Sequence, residues 1–286
     1  MKYSIFILLL MIICPLIEPM DWPLSYALLT DNFGKNKGGI PVLGMSFAAE
    51  GVITAADAGD LLFVHKESHK ASRLPSPLGT WFAVDQGNGM VGIYSRLADE
   101  DIQALPHRIE QGTALASTGR TGFSEQEGFH FSLYDRKERQ WVNPVKFAPL
   151  LPDSRLPVIQ QVQLRNSDGE SFVITPRQRI AQGRWTICVT VADFVDNNEH
   201  ALAPHSIALL FNGRELSRLN LETIVTHKGI LMMECSGLVP AENVYSPVPG
   251  FELGTVQLTR GQTSLEIAAR DSKGNSRNAL FELLVE

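Results

Sequence analysis

Cysteine is scarce: three in 286 residues, of which Cys14 sits in an apolar N-terminal run. No disulfide framework can hold this fold, so hydrophobic cores must. Long helical periodicity is also missing. After residue 20 no long segment repeats apolar residues at i, i+3, i+4 and i+7, which argues against a helical bundle. Runs of lysine or arginine are absent and the formal net charge is −6, so there is no electrostatic footprint for DNA or RNA. What is present is a chain of 44% hydrophobic and 20% charged residues, the balance of a globular protein. At about 150 residues per domain it has room for two.

The chain opens Met1-Lys2-Tyr3-Ser4 and continues apolar from Ile5 to Ile13, a one-lysine n-region and a short h-region. The run is shorter than the ~20 apolar residues that cross a bilayer comfortably. It reads as an export signal over residues 1–20, which places the protein in the periplasm or cell envelope. A short uncleaved anchor extended through Cys14-Pro15-Leu16-Ile17 is one alternative, and a buried N-terminal strand another. Cys14 stands where a lipoprotein signal puts its acylated cysteine, although Ile13 before it is bulkier than such signals use.

Short runs rich in Val, Ile, Phe and Leu recur between Gly, Pro, Asn and Asp clusters, the pattern of an all-β protein. In the first half the expected strands are 51–56, 60–65, 80–84, 90–95 and 128–134, with Gln86-Gly87-Asn88-Gly89 as a hairpin tip. Three prolines within 148–157 stop regular structure, which predicts a linker over 151–157 between domains at 21–150 and 158–286, with few contacts crossing it. In the second half Trp185–Asp193, Ser206–Phe211 and Thr263–Arg270 alternate between apolar and polar residues, with turn signals at Asn212-Gly213 and Lys273-Gly274-Asn275. This predicts a β-sandwich. Cys188 and Cys235 could pair there or remain buried thiols.

Several segments carry a resemblance. Asp21-Trp22-Pro23-Leu24 with Leu29-Thr30-Asp31-Asn32-Phe33-Gly34, the stretch Gln111–Gly122, and Trp141-Val142-Asn143-Pro144 resemble, in order, conserved-looking segments of the lysostaphin-like zinc endopeptidases that cut peptidoglycan cross-links. The resemblance covers about 21–149 and implies a lysostaphin-like β-sheet core. That family's chemistry rests on an H-x-G-x-D segment and the second histidine of H-x-H, three ligands with a position open for water. Here Val42-Leu43-Gly44-Met45-Ser46 aligns with the first, so Val42 and Ser46 replace the histidine and aspartate. Gly128-Phe129-His130 keeps only His130, and Tyr94-Ser95-Arg96-Leu97 puts Arg96 where a histidine would assist acid-base chemistry. A guanidinium cannot accept that proton near neutral pH.

The resemblance therefore implies a degenerate member with no confident catalytic or metal residue, its groove lined by Tyr94, Arg96 and His130. A fixed cation there suits a carboxylate-bearing peptide stem, unless Arg96 only pairs with Asp99 or Glu100. His65 and His69, and Asp57, Asp60 and Asp85, could in principle rebuild a site, but each reads more simply as loop, turn or surface. The segment 269–275 is similar to a turn near the end of bacterial immunoglobulin-like domains, and Asp193, Asp196 and Asp271 are candidate Ca²⁺ ligands or plain turn aspartates. The leading expectation is a non-catalytic envelope protein, without cofactor, that binds peptidoglycan or regulates a cell-wall hydrolase. An active zinc peptidase with relocated ligands and a structural or adhesion scaffold are the alternatives.

Overall fold

The computed structural model describes residues 19–67, 76–99, 102, 105–124, 126–245 and 250–286. The segment read as an export signal or anchor, with Cys14, lies outside the described residues, as do His69 and Glu100. Among the described residues the protein is all-β, with strands interrupted only by three-residue 3-10 turns such as Tyr26–Leu28 and Pro144–Lys146.

In the first half the sheet runs, edge to edge, Leu29–Asp31, Met45–Phe47, Phe129–Asp135, Met90–Leu97, Thr80–Gly87, Gly59–His65 and Arg108–Ile109. The expected hairpin forms at Asn88-Gly89, where φ is +54° and +92°; two successive left-handed residues give the mirror-type turn that matches strand twist. Alternation then sorts the faces. Phe129, Phe131 and Leu133 point into the core while His130 and Tyr134 are partly exposed. Phe82 and Tyr94 stack with centroids 4.7 Å apart, and Tyr94 meets Phe131 at 4.9 Å. Each such buried aromatic contributes roughly 1.5–3 kcal/mol.

In the second half a four-stranded sheet, ordered Ser171–Val173, Val158–Arg165, Gly183–Ala192 and Phe251–Leu258, covers the strands Ser206–Phe211, Arg214–His227, Gly261–Arg270 and Ser276–Val285. Trp185, Ile187, Val189 and Val191 enter a shared core with Ile207, Leu209, Leu265 and Ile267. Cys188 has the outward register of its strand and pairs across to Glu252. Both Cys188 and Cys235 are free thiols, so the pairing alternative does not occur.

The expectation that few contacts cross the boundary does not hold. Gln140–Val142 pairs antiparallel with Thr223–Val225, so one sheet runs through both halves. Asn32 makes two bonds to the backbone of Ala203, donating to its carbonyl at 2.8 Å and accepting from its N–H at 2.7 Å. Asn198 donates to the Leu29 carbonyl at 2.7 Å, Asn143 to that of Leu221 at 2.9 Å, and the Tyr245 hydroxyl to that of Gly34 at 2.8 Å. Phe33 is fully buried in the second half's core. Gly34, at φ +79°, lets the chain pass Leu221, whose side chain a Cβ would meet at 2.9 Å.

Candidate functional site

Six residues from distant parts of the chain fall on one line across the first sheet. His65 is the cross-strand partner of Trp81, Trp81 of Ser95, Ser95 of His130, His130 of Ser46, and Ser46 of Asp31. Direct partners share a face, and this row lies opposite the Phe82–Tyr94 stack. Its two ends differ in chemistry. At one, Phe63 is 52% exposed and stands 5.1 Å from Trp81, with the His65 ring 6.2 Å away. At the other, buried Asp31 forms ion pairs with Lys35 and Lys37, both at 2.8 Å. Burial pushes the Asp31 carboxyl up, but the two lysines outweigh it and hold the group below its usual range.

Arg96 enters through a bulge. Thr80 pairs with Leu97 and Trp81 with Ser95, leaving Arg96 as an extra residue on its strand, at φ +65°. That left-handed conformation is costly for a side chain with a Cβ, and bulges of this kind re-aim a side chain. The half-buried guanidinium is drawn down in pKa by burial and back up by Asp31. It stays charged at any ordinary pH.

His130, at the centre of the row, has both ring nitrogens engaged. Nδ1 lies 2.9 Å from the Ser46 hydroxyl and Nε2 3.0 Å from that of Ser132, and both serines are buried. A neutral imidazole offers one donor and one acceptor, and two hydroxyls satisfy it in either tautomer. Burial first, then Arg96, push the ring down to about 3, against the opposing pull of Asp31. Gly44 closes over the ring: a Cβ there would lie 2.2 Å from the Phe131 carbonyl oxygen and 2.9 Å from Nε2.

The residues aligned with a zinc site do not fit zinc. Val42 offers no donor, and its backbone closes a hairpin by bonding Lys35 and Gly34 at 3.0 and 2.8 Å. Ser46 is a neutral hydroxyl facing His130. Gly128 bonds to Gly119 in both directions, and any side chain at 128 would meet the Phe47 carbonyl oxygen at 2.5 Å. Three protein ligands with free lone pairs are what a catalytic zinc needs. An imidazole held near 3 is also a weak general base at neutral pH.

Tyr94 does not line a groove. It is fully buried and its hydroxyl accepts the Ala56 N–H at 2.8 Å; its parity on the strand puts it on the core side. Arg96 and His130 are brought together on the outer face. The other candidates scatter: Asp57 accepts the N–H of Ala58, while Asp60 and Asp85 pair with Arg108 and Arg136. Of Asp193, Asp196 and Asp271, the first and third converge with Asp153, whereas Asp196 bonds Ser154. Sequence reasoning missed Ser132, the Phe63–Trp81 pair and the Asp31–Lys35–Lys37 cluster. Only the His130-x-Ser132 spacing was available to suggest one of them.

A family model matches residues 156–286. No curated protein matches. Among solved structures, the catalytic domain of the prophage-encoded M23 protein EnpA from Enterococcus faecalis is 22% identical over 41% of this chain and 88% of its own, with a TM-score of 0.35. A zinc-containing peptidase from Vibrio cholerae is 19% identical over 46% of this chain and 41% of its own, at 0.38. The catalytic domain of lysostaphin from Staphylococcus simulans is 17% identical over 37% of this chain and 77% of its own, at 0.31. The structural neighbours are M23 and lysostaphin-like peptidases, at low identity and over part of the chain.

Proposed function

We propose that this chain is an exported, non-catalytic cell-envelope protein that binds peptidoglycan on the outer face of its first sheet and carries an immunoglobulin-like sandwich behind it. The observation that supports this most is the engagement of both His130 nitrogens by Ser46 and Ser132, so that a metal or a water would have to displace a serine hydroxyl to reach the ring. The row is otherwise built to hold an extended ligand. Arg96 offers a fixed cation for a stem-peptide carboxylate, and exposed Phe63 beside half-buried His65 and Trp81 offers a ring cluster for a sugar or an apolar side chain.

The test is sedimentation with purified sacculi, together with metal analysis and a peptidoglycan digestion assay. The proposal expects co-sedimentation, no release of soluble fragments and no stoichiometric zinc. Digestion that depends on about one tightly held zinc per chain would establish the peptidase reading instead. Failure to sediment, with capture of a purified wall hydrolase, would move the role to regulation of that enzyme.

A further inference from the structure

Away from the sheet row, three carboxylates meet where the connecting segment touches the second half. Asp153 comes from the proline-rich connection, Asp193 from just past the strand Gly183–Ala192, and Asp271 from the turn after the strand Gly261–Arg270. One oxygen of each lies within 4.8 Å of the others. Asp193 is 5% exposed and Asp271 1%, so two of the three negative groups are almost shut off from water. Such charges are retained only when something compensates them.

Asp271 is the best satisfied. Its Oδ1 accepts the backbone N–H groups of Lys273, Gly274 and Asn275 at 2.7–2.8 Å, and its Oδ2 the side-chain amide of Asn275 at 2.7 Å. Both of its oxygens are thus met by donors. By contrast, Oδ1 of Asp193 and Oδ2 of Asp153 are buried and bond to nothing among the described residues. The cation nearby, Arg155, is directed elsewhere: its guanidinium lies over the Phe194 ring at 4.7 Å and donates to the Asn198 carbonyl.

We propose that Asp153, Asp193 and Asp271 form a binding site for a divalent oxygen-seeking cation, Ca²⁺ above all, that fastens the connecting segment to the second half. The donor set decides the class: it is all carboxylate oxygen, with neither the imidazole nor the thiolate that selects zinc or copper. The spacing fits too, because two oxygens each about 2.4 Å from one Ca²⁺ are at most about 4.8 Å apart. Asp153 is partly exposed, which leaves a side for the waters that complete a six- to eight-fold shell. Asp196 supports the site indirectly by accepting both the N–H and hydroxyl of Ser154 at 3.1 Å, which fixes the residue next to Asp153.

The experiment is calorimetric titration of the full chain with CaCl₂ after EDTA treatment, paired with thermal unfolding in EDTA, CaCl₂ and MgCl₂. One Ca²⁺ per chain is expected, at an affinity of about 10⁻⁴ M as in extracellular modules. The unfolding midpoint should rise by several degrees at roughly ten times that concentration, because the ligand binds only the folded form. Asp193→Asn and Asp153→Asn should each weaken binding at least about tenfold while remaining folded in EDTA; the second acts from an irregular segment, which covers the case in which the first disturbs the core. No heat and no midpoint shift up to about 10 mM Ca²⁺ would overturn the site and leave the three groups sharing protons. So would a shift that both variants retain.

Discussion

Ser46 and His130 are cross-strand partners whose side chains bond at 2.9 Å, Ser132 takes the other ring nitrogen at 3.0 Å, and burial with the nearby Arg96 charge disfavours the imidazolium. Its pKa lies near 3 in the fold against about 6.5 in an unfolded chain. A depressed value means the contribution to stability is full above the unfolded pKa and is lost as pH falls from about 6.5 towards 3. The His130 ring resonances should therefore not titrate between about pH 5 and 8, and His130→Asn should flatten the fall in unfolding free energy below about pH 6.5. A measured His130 pKa near 6.5 would show that the ring is neither buried nor close to Arg96 in the way described.

Gly44→Ala should destabilise strongly. The added Cβ falls 2.2 Å from the Phe131 carbonyl oxygen and 2.5 Å from the Ser132 hydroxyl, and backbone cannot yield as a flexible side chain can. Overpacking typically costs 1–3 kcal/mol, so a loss of about 3 kcal/mol is expected from urea midpoints. A loss below about 1 kcal/mol would mean the segment over His130 is not closely seated.

Replacing Arg96 separates binding from folding. Arg96→Gly relieves the cost of φ +65°, worth about 1–2 kcal/mol for a residue with a Cβ, and so should raise the urea midpoint. Arg96→Ala keeps the strain and should not. Both should bind sacculi or soluble stem peptides about ten- to a hundredfold more weakly, the loss of one charge-assisted hydrogen bond. Unchanged affinity in both, with wild-type binding measurable, removes Arg96 from the ligand surface.

Asn32→Ala deprives the Ala203 N–H and carbonyl of their partners at the seam between halves. Leaving such groups unsatisfied costs about 1–3 kcal/mol. The whole chain should melt in one calorimetric transition, in wild type and variant alike, and a fragment of 21–152 should not fold. Two resolved transitions would show that the halves are energetically independent despite the shared sheet.

Strand positions and turn chemistry were legible because they are local. Asn88-Gly89 and the inward alternation of Phe129 and Phe131 needed only their neighbours in sequence. The seam between the halves was not legible: Gln140–Val142 joins Thr223–Val225 through backbone groups, which every residue carries. The same blindness hid the row from His65 to Asp31, since its members are spread over five intervening loops and the bulges at Arg96 and after Leu61 shift the register. Tyr94 was placed in the groove by the resemblance of Tyr94-Ser95-Arg96-Leu97 to a family segment, but strand alternation turns its ring into the core.

The seam also sets an order of events during synthesis. Asn143 must wait for Leu221, 78 residues downstream, before it finds its partner. At about 5–20 residues per second the delay is roughly 4–16 s. For that interval the strand Gln140–Val142 is an open edge on a nascent chain, the kind that pairs with whatever strand comes by. A holdase would shield it, and slow elongation between residues 143 and 223 would lengthen its exposure.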